Sequence, residues 1–287
     1  MTIYCGKKIV GLDLMKYNPN ICADVANENL PKIGVLNLMP NKYDTEKQLL
    51  ELLSRTKLDL EVSFIRLLTH RSKSVSNEYL EENYEAFDEL KEDIDCLIVT
   101  GAPVEKLEFN QVSYIDELNQ IMDYIKSKGK KSVFICWGAQ AALNHYYGIR
   151  KELCEEKVFG IFKHKKLDEN LLLDGISDKF YAPHSRHTRL RSEDIRKYNT
   201  LTTLAYSDEV GEYIIVDDNS LYILGHCEYH KETLKNEYFR DLKKGLSINI
   251  PKNYFVNDDP HNDIIESWQE DGVKLYKNWL RRSLKIQ

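Results

Sequence analysis

No apolar run in this 287-residue chain approaches the length needed to cross a bilayer, so a membrane-spanning protein is not expected. The first residues, MTIYCGKKIVGLDLMKYN, contain neither a continuous apolar core nor an Arg/Ser-rich transit pattern, and a cytoplasmic protein without a targeting signal is expected. There is no excess of basic residues. A formal net charge of −6 argues against a nucleic-acid partner, although it leaves room for a local basic patch facing a nucleotide-bearing substrate. The cysteines are scattered, without CxxC spacing or histidine partners at zinc-ligand intervals, so no metal site is expected. The six cysteines therefore read as reduced thiols, four of them as ordinary small, partly buried hydrophobes. Repeats, low-complexity tracts, Gly/Ser linkers and charge blocks are also missing, and residues 1–287 read as a single domain.

What is present alternates between strand-like and helix-like segments, the pattern of an α/β fold with a mostly parallel sheet covered on both faces. Lys32 to Leu38 reads as a strand, followed by a turn at Met39-Pro40-Asn41. Thr45 and Gln48 form a Thr-x-x-Gln box ahead of an apolar stripe at Leu49, Leu50, Leu52 and Leu53, which predicts a helix beginning at Thr45. Leu58 to Leu67 alternates as a strand, whereas Cys96 to Val99 is continuously apolar, as a central parallel strand requires. A helix over 113–128 leads to a strand over Ser132 to Ile135. The polar stretch from Thr69 to Glu85 reads as a mobile loop entering an exposed helix. In the second half, FGIF at 159–162 precedes a loop carrying Ala182-Pro183-His184-Ser185-Arg186-His187. A hairpin-like region over 201–224 and helical patterns near 232–243 and 262–284 follow.

Cys136 stands where the period changes from strand to helix, at the carboxyl end of a parallel strand, where open α/β sheets place their active sites. With Gly138 two residues on, the turn has the form of a nucleophile elbow. A helix N-terminus stabilises a thiolate, and the first helical N–H groups can receive an oxyanion. The same pattern also fits a buried core cysteine closing a central strand. A nucleophilic cysteine needs a base held by a third group. In LYILGHCEY, His226 and Glu228 lie two apart after an apolar strand and project to the same side if extended; the alternative is a surface histidine beside a solvated glutamate.

The stretches NLMPNKYDTE (37–46), IVTGAPVE (98–105), CWGAQAALNHYYG (136–148), KVFGIF (157–162), APHSRH (182–187), GHCEY (225–229) and NYFVNDDP (253–260) run in order along nearly the whole chain. Together they closely resemble the homoserine O-acyltransferase family of methionine biosynthesis, of the homoserine O-succinyltransferase type. That resemblance implies a flavodoxin-like, class I glutamine-amidotransferase-like fold. It implies Cys136 as the acyl-accepting nucleophile, His226 as general base and Glu228 as the residue orienting it. Substrate contacts are implied for Lys157, Ser185 and Arg240, and an oxyanion hole for the Trp137 N–H with the Gly101–Ala102 loop.

Glu105 matches the acetyl-using branch, where succinyl-using members have glycine. The expected reaction is therefore acetyl transfer from acetyl-CoA, through a cysteine thioester, to the hydroxyl of L-homoserine. L-serine as acceptor and succinyl-CoA as donor are the alternatives. No cofactor is implied beyond the acyl-CoA substrate, and a homodimer is expected. Three departures stand out: Cys227 replaces the family's proline in GHPEY, Val256 replaces proline in NYFPNDDP, and the arm before residue 31 is shorter than and unlike the family's. Two other readings use the same cysteine. One is an amidotransferase-like hydrolase, although the chain reads Phe134-Ile135-Cys136-Trp137-Gly138 rather than G-x-C-x-G. The other is a redox sensor with Cys227 as resolving thiol.

Overall fold

The computed structural model describes the chain apart from residues 1, 8, 14–17, 25, 27, 28, 71, 73 and 287. Positions 71 and 73 of the 69–85 stretch, and parts of the N-terminal segment read above for a targeting signal, thus lie outside the described residues. In chain order the elements are β1 (Ile3–Tyr4), α1 (Val10–Asp13), β2 (Ile21–Cys22), β3 (Lys32–Leu36), α2 (Lys42–Arg55), β4 (Leu60–Arg66), α3 (Asn77–Asn83), β5 (Glu85–Ala86), α4 (Phe87–Leu90) and β6 (Cys96–Val99). They continue with α5 (Ile115–Ser127), β7 (Lys131–Ile135), α6 (Trp137–Tyr147), β8 (Lys151–Lys166), β9 (Lys179–Leu190), α7 (Ser192–Ile195), β10 (Thr202–Ser207), β11 (Gly211–Val216), β12 (Ser220–Ile223), α8 (Thr233–Lys243) and α9 (Gln269–Leu284).

The strands form one sheet in the order β2-β1-β4-β3-β6-β7-β12-β11-β10-β8-β9, with β5 beside β4. Pairing is parallel from β2 to β12 and antiparallel beyond it. Alternate residues of the parallel strands feed two cores. Val35, Ile98, Val133 and Leu221 pack under α2 and α9, while Leu36, Leu97, Phe134 and Tyr222 pack under α5 and α6. Truncating any one of these fully buried side chains to alanine costs about 2–5 kcal/mol. Among the described residues, no helix is long and apolar enough to cross a membrane.

The chain leaves β3 through α2 toward β4 on one side, and leaves β6 through α5 toward β7 on the other. This reversal opens a crevice beyond the carboxyl ends of β3 and β6, the ligand position of open α/β sheets. Thr100 Oγ1 accepts a hydrogen bond from Leu38 N at 2.8 Å and ties the two strand ends together.

Several local readings need correction. The helix read from Thr45 begins at Lys42, because Asn41 caps it: its side chain accepts from Asp44 N, and Thr45 Oγ1 merely donates to Asn41 O at 3.0 Å. Gln48 leaves the first turn altogether and donates to Thr233 Oγ1 at 2.9 Å. The last helix starts at Gln269 rather than 262, since 256–264 is a short 3-10 turn and a bridge between Phe255 and Ile264. Residues 182–187 are not a loop but the middle of β9, paired antiparallel with β8. The alternation is hard to see in the sequence because the buried positions His184, Arg186 and Thr188 are polar. Pro183 is tolerated because its pair with Ile161 is one where the main chains point away from the β8–β9 ladder: Ile161 N donates to Lys252 O and Pro183 O accepts from His226 N.

Candidate active site

Cys136 closes β7 and caps α6 with φ 50° and ψ −113°, a backbone shape that costs an L-residue about 1–3 kcal/mol. Two hydrogen bonds hold it there, from Cys136 N to Ile223 O at 2.7 Å and from Gln140 N to Cys136 O at 3.1 Å. Gly138 is required by close approach: a Cβ at that position would lie 2.7 Å from Thr100 O and 3.2 Å from Val99 O, where α6 presses on the end of β6. The Trp137 N–H, as the first of α6, has no acceptor within the helix. Gly101 covers the thiol from the opposite loop, so near that a Cβ there would sit 3.3 Å from Cys136 Cβ and 3.7 Å from His226 Cε1. The nucleophile candidate, the Trp137 N–H and the Gly101–Ala102 loop therefore meet at one point.

The segment after β12 brings the second half of the site. His226 N donates to Pro183 O at 2.9 Å, and the imidazole Nδ1 lies 2.6 Å from Glu228 Oε1 with both side chains buried. Burial alone would lower the imidazole's pKa. The charges of Glu228 and Cys136 and hydrogen bonds with both residues together outweigh it, and the result is about 10. Tyr229 stacks on the ring at 4.0 Å between centroids and fixes its plane. Nδ1–H donating to Glu228 leaves Nε2 for the thiol, the arrangement a cysteine–histidine pair needs.

Beyond β12 the chain turns at residues 227 and 228 rather than staying extended, and Cys227 packs into the core. It hydrogen-bonds with Tyr213 and packs so tightly against α9 that a Cβ at Gly272 would lie 2.9 Å from its own. Burial pushes its thiol well above the ordinary range. A resolving role beside Cys136 is thus not supported, and the residue belongs to the core. All six cysteines are free thiols.

A cavity of about 500 Å³ opens over Cys136 and His226, lined on one side by Met39, Pro40 and the 101–107 loop, on the other by β8, β9 and α8. Lys157, Ser185 and Arg240 all line it. They converge on one carboxylate, Glu237: Lys157 Nζ is 2.5 Å from Oε1, Ser185 Oγ donates to it at 2.7 Å, and Arg240 Nη2 is 3.6 Å away. Asp241 completes the group, 2.7 Å from Arg240 Nε and 3.6 Å from Lys157 Nζ. Arg240 is thus no part of a merely solvated face, although its side chain remains 54% exposed. Glu105 lines the same cavity, its loop held by Lys151 Nζ, which donates to Glu105 O at 2.6 Å and to Leu107 O.

Sequence reasoning missed Glu237, Asp241, His187 and Tyr229, all of which line this cavity. A signal existed for the acids. Glu237, Arg240 and Asp241 sit at i, i+3 and i+4 of one helix and must share a face. Among the described residues no cluster of three or more His, Cys, Asp or Glu could hold a metal ion.

Comparison with known proteins identifies the family and the fold. Residues 21–285 match the homoserine O-succinyltransferase family. A homoserine O-acetyltransferase of Bacillus cereus is 45% identical over 253 residues, covering 87% of this chain and 84% of that protein. Another, from Acetivibrio thermocellus, is 47% identical over 253 residues, covering 87% and 83%. Among solved structures, a glutamine amidotransferase of Thermotoga maritima superposes with a TM-score of 0.60 at 12% identity, over 90% of this chain and 100% of that one. A glutamine amidotransferase of Methylobacillus flagellatus gives 0.58 at 11% identity, over 88% and 94%. These two likenesses establish the class I glutamine-amidotransferase-like fold.

Proposed function

The chain belongs to the homoserine O-succinyltransferase family, and from that premise we propose that it is a homoserine O-acetyltransferase of methionine biosynthesis, working by two acyl transfers through Cys136. The observation that carries the mechanism is the meeting of Cys136, His226 and Glu228 beneath a cavity with cations and carboxylates on its far wall. In the first half-reaction the Cys136 thiolate attacks the carbonyl carbon of acetyl-CoA, and the developing oxyanion is received by the Trp137 N–H and the Gly101–Ala102 loop. The carbon–sulfur bond to CoA breaks, the CoA thiolate takes the proton held by His226, and an acetyl-thioester remains on Cys136. In the second, His226 accepts the proton of the homoserine hydroxyl, whose oxygen attacks the thioester, and Cys136 departs as thiolate. Glu228 holds the imidazole in the tautomer that serves both steps.

Arg240 offers a planar pair of donors to the amino acid's carboxylate, with Lys157 and Ser185 beside it. Glu237 supplies the negative counterpart that an α-ammonium group requires. Glu105 excludes the longer donor: a succinyl carboxylate ~5 Å from it would be repelled by roughly 3 kcal/mol at an effective dielectric near 20. Cytoplasmic location and a homodimer belong to the same reading.

Intact mass spectrometry tests it. Incubation with acetyl-CoA should add one acetyl group at Cys136, removed by L-homoserine and more slowly by L-serine. Hydrolysis without O-acetylhomoserine would sink the transferase assignment. Glu105→Gly should gain succinyl transfer and lose its preference for acetyl-CoA; identical donor profiles in mutant and wild type would remove Glu105 from donor selection.

A further inference from the structure

Behind the His226 segment, on the side away from the cavity, lies a second polar cluster that the acyl transfer does not use directly. Arg186 is 2% exposed and makes no ion pair with any carboxylate among the described residues. Its guanidinium donates instead to neutral groups: Nη1 to Thr188 O at 2.5 Å, Nη2 to Val210 O at 2.6 Å, and Nε to His184 Nδ1 at 3.4 Å. Glu212 acts on this guanidinium only from beyond ion-pair distance, and a buried charge without a directly paired carboxylate costs on the order of several kcal/mol that an apolar residue would not, so its retention calls for a reason.

The contacts around it supply one. Because His184 Nδ1 accepts from Arg186, the His184 proton resides on Nε2 and is donated to His164 Nε2 at 3.1 Å. The His184 ring so fixed backs onto Gly225, where a Cβ would lie 2.9 Å from both Cε1 and Nε2. Gly225 directly precedes His226, whose N–H is held by the neighbouring Pro183 carbonyl. In the other direction, Arg186 grips the Thr188 carbonyl, which also accepts from Gln140 Nε2 at 3.3 Å, while Thr188 Oγ1 donates to Gln140 Oε1 at 2.9 Å. Gln140 is the residue whose N–H binds the Cys136 carbonyl. One side chain thus joins the rear of the base segment to the first turn of the nucleophile's helix. Cys136 is also among the groups whose negative form attracts this guanidinium.

We propose that Arg186 is a positioning residue of the acyl transfer: a buried cation that sets the spacing of Cys136 and His226 from behind and favours the Cys136 thiolate. The inference rests on Cys136 being the nucleophile. The titratable and charged groups around that thiol are His226 and Tyr229 of the base segment with Glu228 behind the imidazole, Arg186 of β9 from the rear, and Glu105, Lys157 and Glu237 across the cavity.

The test uses the full chain with Arg186→Gln and Arg186→Lys. Wild-type acetylation of Cys136 by acetyl-CoA is established first, so that failure of the nucleophile assignment is seen separately. The pH dependence of Cys136 alkylation by iodoacetamide is then followed by peptide-resolved mass spectrometry. Arg186→Gln should move the alkylation midpoint up by about one pH unit and slow acyl-enzyme formation about tenfold at neutral pH. Arg186→Lys, which keeps the charge and loses the fork, should leave the midpoint in place and lower kcat with both KM values unchanged. A folded Arg186→Gln with wild-type midpoint and wild-type acylation rate overturns the proposal. If Arg186→Gln yields no folded protein, Arg186→Lys decides: a reduced kcat supports the proposal, and a wild-type kcat overturns it.

Discussion

Two histidine clusters lie on either side of the Gly225–His226 backbone, equally buried and shifted in opposite directions. In front, His226 has a carboxylate at 2.6 Å and an imidazole pKa raised to about 10. Behind, His184 and His164 have each other and an arginine, and burial lowers both, His164 to about 3. The cations repeat the pattern. Arg240 in front has Asp241 and Glu237; Arg186 behind has main-chain carbonyls. Burial is common to both sides of the segment, so the presence of a carboxylate decides which histidine is available to hold and release a proton.

The strongest way to break this comparison is to give the front cluster the chemistry of the rear. Glu228→Gln keeps a hydrogen-bond partner for Nδ1 and removes the charge, so His226 should lose its raised pKa and transfer should fall by about 10²- to 10⁴-fold. Cys136→Ser and His226→Ala serve as references and should abolish transfer, with folding intact because neither empties the core. Histidine NMR titration of Glu228→Gln checks the cause. A His226 that remains protonated at neutral pH in that variant would show that the carboxylate does not set its charge.

The front half was largely legible in the sequence, because its signals are local. The elbow at Cys136 and the spacing of His226 and Glu228 are each contained in a few residues, and the continuously apolar runs of β6 and β7 mark a central parallel sheet. The rear half was not. The buried face of β9 is His184, Arg186 and Thr188, so the usual period-2 apolar signal is absent and the segment reads as a loop. Their partners are remote in sequence, with Gln140 48 positions from Thr188 and His164 20 from His184. Glu237 was missed for a related reason: on a polar helix a carboxylate looks solvated until β8 and β9 bring Lys157 and Ser185 to it.

A smaller effect sharpens the contrast between the two arginines. Arg240→Lys keeps a cation in front but loses the planar pair of donors, and should raise the KM for homoserine by about 10- to 100-fold while leaving acetyl-enzyme formation unchanged. Slowed acetylation with unchanged acceptor kinetics would instead place Arg240 in the donor half of the site.

The smallest expected effect concerns stability, where the two clusters should have opposite signs. His226 is raised in the fold, so its contribution is fully present below the ordinary histidine pKa near 6.5 and is lost as pH rises toward about 10. His164 is depressed in the fold to about 3, so between that value and 6.5 the unfolded chain binds a proton that the native protein refuses. Its effect is an acid-side loss of stability as pH falls below 6.5. His164→Gln retains an acceptor for the His184 Nε2–H and cannot titrate. Urea unfolding at pH 7 and pH 5 should therefore show a smaller acid loss in the variant than in wild type, by about 2 kcal/mol. Equal losses would mean that His164 takes up its proton in the folded protein as readily as in the unfolded chain. The rear cluster would then be no more closed to protons than the front.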